Sequence, residues 1–162
     1  MKINIDGGTP YQQELCYDFA DHVLLSLCGP RLHRLLEIDL TIEQLGDHMG
    51  SCIATDTERL PRIFDVEVHE SLQQRVQLQV LAHELVHVKQ YARRELVQLV
   101  RGGYSWYGTK YPHITPAEEV WNKTYNRLPW EIEARGMEEV LFLEWAEERN
   151  ITDDWAYFPM YA

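Results

Sequence analysis

Residues 81–90 read LAHELVHVKQ and set His83, Glu84 and His87 in the spacing H-E-x-x-H. On an α-helix, residues four apart project from one face about 6 Å apart along the axis. His83 and His87 can therefore offer two imidazole nitrogens to one tetrahedral Zn2+. Glu84 lies roughly 100° around the helix from His83, a poor position for a third ligand but one that flanks the open coordination site. There its carboxylate can take a proton from a water whose pKa zinc lowers to about 7, and pass that proton to a leaving amine.

The stretch sits in a helical pattern that runs from about Ser71 to Leu96 with no Gly or Pro. Ser71 and Gln74 have the spacing of a capping box at its start. Leu78, Leu81, Leu85 and Val88 make one apolar stripe, and Val76, Val80, His83 and His87 make a neighbouring one. So wide an apolar arc predicts a central, buried helix.

Upstream, Thr9-Pro10-Tyr11-Gln12 predicts a capped helix start with Pro at its first position. Leu15, Phe19, Val23, Leu24 and Leu27 form its apolar face, and Gly29-Pro30 is its expected stop. In EIDLTIE, Ile38, Leu40 and Ile42 alternate with polar residues, and in IFDVEVH, Phe64, Val66 and Val68 do the same. With SCIAT between them as a third short strand, these segments predict a small, mostly antiparallel sheet with one wet face. Downstream, RGGYSWYGTKYPHITP reads as loop or hairpin, and Thr115 and Glu118 bracket the start of a short helix. A last helix begins near Pro129, with Trp130, Ala134, Met137, Leu141 and Trp145 as its stripe, and an aromatic tail is expected to pack back on the body. The expectation is one α+β domain over residues 1–162.

Two histidines leave a zinc site one protein ligand short. The extended form H-E-x-x-H-x-x-G-x-x-H fails, since Gln90 and Arg93 stand where Gly and His would be, and the inverted order H-x-x-E-H is absent. A downstream carboxylate would complete a His2Glu set. Glu131 and Glu133 in PWEIEAR both qualify, on opposite flanks of the last helix's stripe, and periodicity does not choose between them.

HELVHVKQ followed by WYGTKY and PWEIEAR is similar to small single-domain metallopeptidases of bacteria and phages, in the broad zincin group near SprT-like and other minimal gluzincin-type proteins. Their pattern runs HELxHxxQ, then W-x-G-x-x-Y, then PWEIEA, and it spans this chain from the motif helix to the last helix. The resemblance implies a minimal zincin-like fold and zinc-dependent hydrolysis of peptide bonds, with Glu84 as general base and acid. It also makes Glu131 the third ligand through the pattern E-x-x-(S/A)-(D/N), with Ala134 as the small residue and Glu133 as the alternative. Arg135 departs from that pattern, standing where an Asp or Asn commonly orients a ligand. An edge strand that pairs with extended substrate is implied too, either SCIAT or IFDVEVH. A donor for the developing oxyanion is expected among Tyr125, His113 and Tyr111, with Tyr125 foremost, and GGYSWYGTKYPH between the two metal helices is a candidate lid.

The 162 residues carry a net charge of −11, which disfavours direct contact with nucleic acid and with it a DNA-bound SprT-like role. Cys16, Cys28 and Cys52 form no C-x-x-C pair and are expected as buried free thiols. The segment MKINIDGGTP lacks the apolar core of a secretory signal, and no apolar run is long enough to span a membrane. A cytoplasmic zinc peptidase acting on a peptide or protein substrate is the first expectation. A zinc-holding scaffold that cleaves nothing is the alternative.

Overall fold

The computed structural model describes residues 1–113 and 125–157. The short helix expected from Thr115, and residues 158–162 of the aromatic tail, lie outside them.

A four-stranded sheet carries the fold. Its strands are β1 (Lys2–Gly7), β2 (Glu37–Glu43), β3 (Gly50–Ala54) and β4 (Ile63–His69), in the order β1-β2-β4-β3. Ile3 registers with Ile38 and Ile38 with Phe64 in two parallel pairings, whereas β3 runs antiparallel to β4, with Cys52 opposite Val66. The α+β class holds, but the expected antiparallel sheet is corrected to a mixed one. Period-two alternation says which face a residue takes and nothing about strand direction. Direction is set by the crossover: helix α1 (Pro10–His33) returns the chain to the end of the sheet where β1 began.

Ile38, Leu40, Ile42, Phe64, Val66 and Val68 are buried on one face. The other face is polar, with Asn4 Nδ2 donating to Asp39 Oδ1 at 2.5 Å and Lys2 paired to Glu37. The wet face was legible from the alternation. Strand β1 shows the same alternation over a shorter run, Ile3 and Ile5 between Lys2, Asn4 and Asp6, and lies outside the strands expected from the sequence.

The Thr9 capping box forms as expected, with Thr9 Oγ1 accepting from Gln12 N at 3.2 Å and Gln12 Oε1 from Thr9 N at 2.9 Å. Gly29 breaks α1 at φ 72° but does not end it, since a last turn continues to His33. Helix α2 (Gln74–Ala92) is the motif helix, packed against α1, β3 and β4 and against α3 (Pro129–Glu148). The Ser71 capping box does not form. Gln73 is the N-cap, with no side-chain bond, and Ser71 N instead donates to His69 Nδ1 at 3.1 Å. Helix α2 also ends earlier than its pattern suggests, because Arg94 turns into the left-handed region at φ 61° and Leu96–Gln98 becomes strand β5. That strand edges a second, antiparallel sheet with β6 (Tyr104–Trp106) and β7 (Thr109–Tyr111).

Helix α3 buries Trp130, Ala134, Leu141 and Trp145. Trp145 meets Phe19 edge to face at 5.2 Å, which locks α1 to α3, and its Nε1 donates to Asp18 Oδ2 at 2.8 Å. A short helix α4 (Asp154–Tyr157) returns to the body, with Trp155 6.2 Å from Phe142. Cys16 and Cys28 are buried and Cys52 is half-buried, all three as free thiols. Among the described residues no helix is long and apolar enough to cross a membrane.

Phe19→Ala should open a cavity at the α1–α3 contact and cost about 3–5 kcal/mol, read as a fall in the urea midpoint with an unchanged slope.

Candidate metal centre

Helix α2 is buried along most of its length, which carries Glu84 and His87 into the interior and leaves His83 half-buried. Helix α3 packs across it and brings Glu131, only 1% exposed, to the histidine pair. The two Nε2 atoms stand 3.1 Å apart. Glu131 Oε2 is 3.2 Å from His83 Nε2, and Oε1 is 3.4 Å from His87 Nε2. Ligand atoms about 2.0–2.2 Å from a tetrahedral ion lie about 3.3–3.5 Å from one another. The two nitrogens and the nearer Glu131 oxygen on each side are spaced close to those values.

Hydrogen bonds on the far side of each ring fix where its proton sits. Gln90 is fully buried, and its Nε2 donates to Trp130 O at 3.0 Å and Glu133 Oε2 at 2.7 Å. With the amide nitrogen so committed, Oε1 faces His87 Nδ1 at 2.8 Å, and the ring must carry its N–H there. Glu138 Oε1 lies 2.7 Å from His83 Nδ1 and demands the same of that ring. In their neutral forms both histidines then present an Nε2 lone pair to Glu131. Two lone pairs and a carboxylate around one point require a positive charge among them, and a divalent cation or an imidazolium proton supplies it.

The titration behaviour follows from this crowding. Burial opposes charge on His83, but hydrogen bonds to Glu131 and Glu138 outweigh it and lift the imidazole to about 9. Burial also opposes ionisation of Glu131, yet the two histidines hold its carboxyl far below the ordinary range. Glu84 is raised by burial, with His87 and His83 partly offsetting the effect. Its carboxylate makes no hydrogen bond among the described residues and lines the adjoining cavity.

Edge strand β3 comes so close to this carboxylate that a Cβ on Gly50 would sit 2.9 Å from Glu84 Oε1 and 2.7 Å from Val80 Cγ1. Gly50, Ser51 and Cys52 thus form one wall of a cavity of about 210 Å3 that also exposes His83, Glu84, His87 and Glu131. Of the three oxyanion candidates, Tyr125 lines this cavity, from the 3-10 turn Tyr125–Arg127. Tyr111 instead stacks edge-on against Trp130 at 5.2 Å, and His113 is exposed at the end of the β6–β7 hairpin. That hairpin, the segment expected as a lid, rests on Trp130 and sends Tyr104 into the cavity wall. Tyr91 and Tyr104 line the cavity as well. Sequence reasoning passed them over because an isolated tyrosine carries no spacing signal.

Among the described residues, His83, His87 and Glu131 are the one group of three metal-ligating side chains close enough to share an ion, their ligand atoms all within 4.8 Å of one another. Glu133 does not join them. It holds Gln90 and pairs with Lys89 at 2.9 Å, one step removed from His87. Arg135 takes no part in orienting either histidine and reaches Asn126 Oδ1 at 2.6 Å. Glu138 and Gln90 do that work. Both had a faint signal in the sequence: Glu138 follows Glu131 by two helical turns, and Gln90 lies one turn beyond His87. Comparison of the chain with protein-family models, with curated proteins and with solved structures finds no match.

Elemental analysis after zinc loading and gel filtration should find about one zinc per chain. Glu131→Gln should lose it, while Glu133→Gln should keep it with an affinity weakened by up to about 10–100-fold.

Proposed function

We propose that the chain is a zinc-dependent peptidase of zincin type, with His83, His87 and Glu131 as metal ligands and Glu84 as general base and acid. The observation that carries the reading is the convergence of His83, His87 and Glu131 beside a buried Glu84 that has no hydrogen-bond partner among the described residues, all facing one open cavity. The resemblance of HELVHVKQ, WYGTKY and PWEIEAR to minimal zincin metallopeptidases points the same way.

Bound zinc would lower the pKa of a water and polarise a peptide carbonyl. The protein's own residues supply the rest. Glu138 and Gln90 keep both Nδ1 atoms protonated, so that Nε2 remains a ligand. Glu84, with its basicity raised by burial, accepts the water proton and returns it to the departing amine. Tyr125, on the cavity wall, is the donor assigned to the oxyanion. Among the described residues strand β3 is an edge strand, paired only to β4, so its other side can hydrogen-bond an extended substrate as one further strand. Of the two strands that qualified from sequence, β4 is enclosed between β2 and β3 and does not. A peptide or protein in the cytoplasm is the substrate of this reading, and nucleic acid and membrane are not partners in it.

The ion pairs of His83 with Glu131 and Glu138 support a second reading, in which a charged cluster or a silent metal site holds α2 to α3 and cleaves nothing. Glu84→Gln separates the two. The peptidase should lose peptide turnover by at least about a hundredfold with unchanged zinc content and melting temperature. Wild type that turns over no member of a broad peptide mixture, while holding zinc, would decide for the silent site.

A further inference from the structure

The metal cavity does not close at Cys52. A groove of about 510 Å3 continues from it, sharing Cys52, Tyr91, Leu96 and Tyr104 and running between edge strand β3 and edge strand β5. At its far end arginines gather. Arg59 and Arg94 line the groove, and with Arg62 and Arg93 they shape the adjoining depression.

None of these four arginines has a carboxylate partner among the described residues. Arg62 Nη1 donates to Ala92 O at 2.8 Å and to Pro61 O at 2.6 Å, and Arg93 Nη2 donates to Leu27 O at 3.0 Å. Arg94 N donates to Tyr91 O at 2.9 Å, but the exposed side chains of Arg59 and Arg94 make no hydrogen bond or ion pair among the described residues. This stands out in a chain with 26 acidic residues and 15 Lys and Arg, where carboxylates to pair with are in excess. Two acids share the groove: Asp56, whose Oδ2 accepts from Arg62 N at 2.8 Å, and Glu58, which is exposed. Arg94 adds a second observation. Its backbone lies at φ 61° just past the end of α2, a conformation that Gly or Asn adopts at less cost. The arginine at this position lines the groove with a guanidinium that has no partner among the described residues.

We propose that the groove between β3 and β5 is a specificity subsite in which Arg59 and Arg94 bind carboxylate side chains of an extended acidic peptide, to one side of the bond presented to the metal centre. The inference rests on the peptidase reading and adds the substrate class. Strand edges β3 and β5 can engage only main chain, which every peptide shares. Selection must then come from side-chain contacts along the groove, and guanidinium forks suit carboxylates. The net charge of −11 disfavours an acidic peptide on the chain at large, so its binding depends on the local arginines.

The test uses two dye-labelled peptides of equal length that differ only in Glu versus Gln at alternate positions. Binding is read by fluorescence anisotropy on zinc-loaded chain carrying Glu84→Gln, so that bound peptide persists. The Glu peptide should bind at least about tenfold more tightly than the Gln peptide, as expected for charge-assisted contacts. Adding Arg59→Gln and Arg94→Gln together should erase that difference, with zinc content and melting temperature unchanged. Equal binding of the two peptides, a preference that survives the double substitution, or tighter binding of a single-stranded oligonucleotide than of the Glu peptide would overturn the subsite. Cleavage by the wild-type chain is scored separately. Turnover of peptides without regard to acidic residues would remove the subsite and leave the peptidase reading intact. Arginine-dependent binding with no turnover would do the reverse.

Discussion

Two imidazole nitrogens and a carboxylate, each with an electron pair directed at the same point, repel one another unless a positive charge lies between them. The site on α2 and α3 is built around that constraint. Glu131 is 1% exposed and therefore gets little help from solvent. A buried carboxylate without a partner costs several kcal/mol even after the surroundings relax. Its compensation comes from His83 and His87, whose Nε2 atoms lie 3.2 and 3.4 Å from its oxygens.

Hydrogen bonds behind the two imidazoles hold their orientation. Gln90 is held by Trp130 O and Glu133, which themselves belong to α3, so the same helix that supplies Glu131 also orients His87 through a second route. Glu138, two turns further along α3, orients His83. Fully buried Ala134 lies between these acids on the helix and keeps α3 close to α2. Phe19, Phe142 and Trp145 anchor the far half of α3 to α1, so core packing fixes the position of the helix that carries Glu131. Packing and chemistry therefore share one interface.

Residue spacing made much of this legible. H-E-x-x-H on an uninterrupted apolar run placed two histidines on one face of a central helix, and the capping box at Thr9 located the start of α1. Helical periodicity left Glu131 and Glu133 equivalent, because each flanks the same stripe. What separates them is the crossing of α3 over α2, a tertiary fact with no local signature. Glu138 and Gln90 were missed for the same reason: a residue that orients a ligand from behind need only be near it in space. Strand direction was hidden as well. The alternation in β2 and β4 is the same whether they run parallel or antiparallel, and β1, which shows that α1 is a crossover, was not taken as a strand. At Ser71 a capping pattern was present, but His69 Nδ1 accepts from Ser71 N and the helix begins beyond it.

The most direct test of the central claim is a crystal of the zinc-loaded chain examined by anomalous scattering at the zinc edge. The account requires a single strong peak about 2.0–2.2 Å from His83 Nε2, His87 Nε2 and a Glu131 oxygen, with both Nδ1 atoms still facing Glu138 and Gln90. A map with no peak after loading, or with zinc bound elsewhere while the His83–Glu131–His87 cluster stays closed on itself, would contradict it.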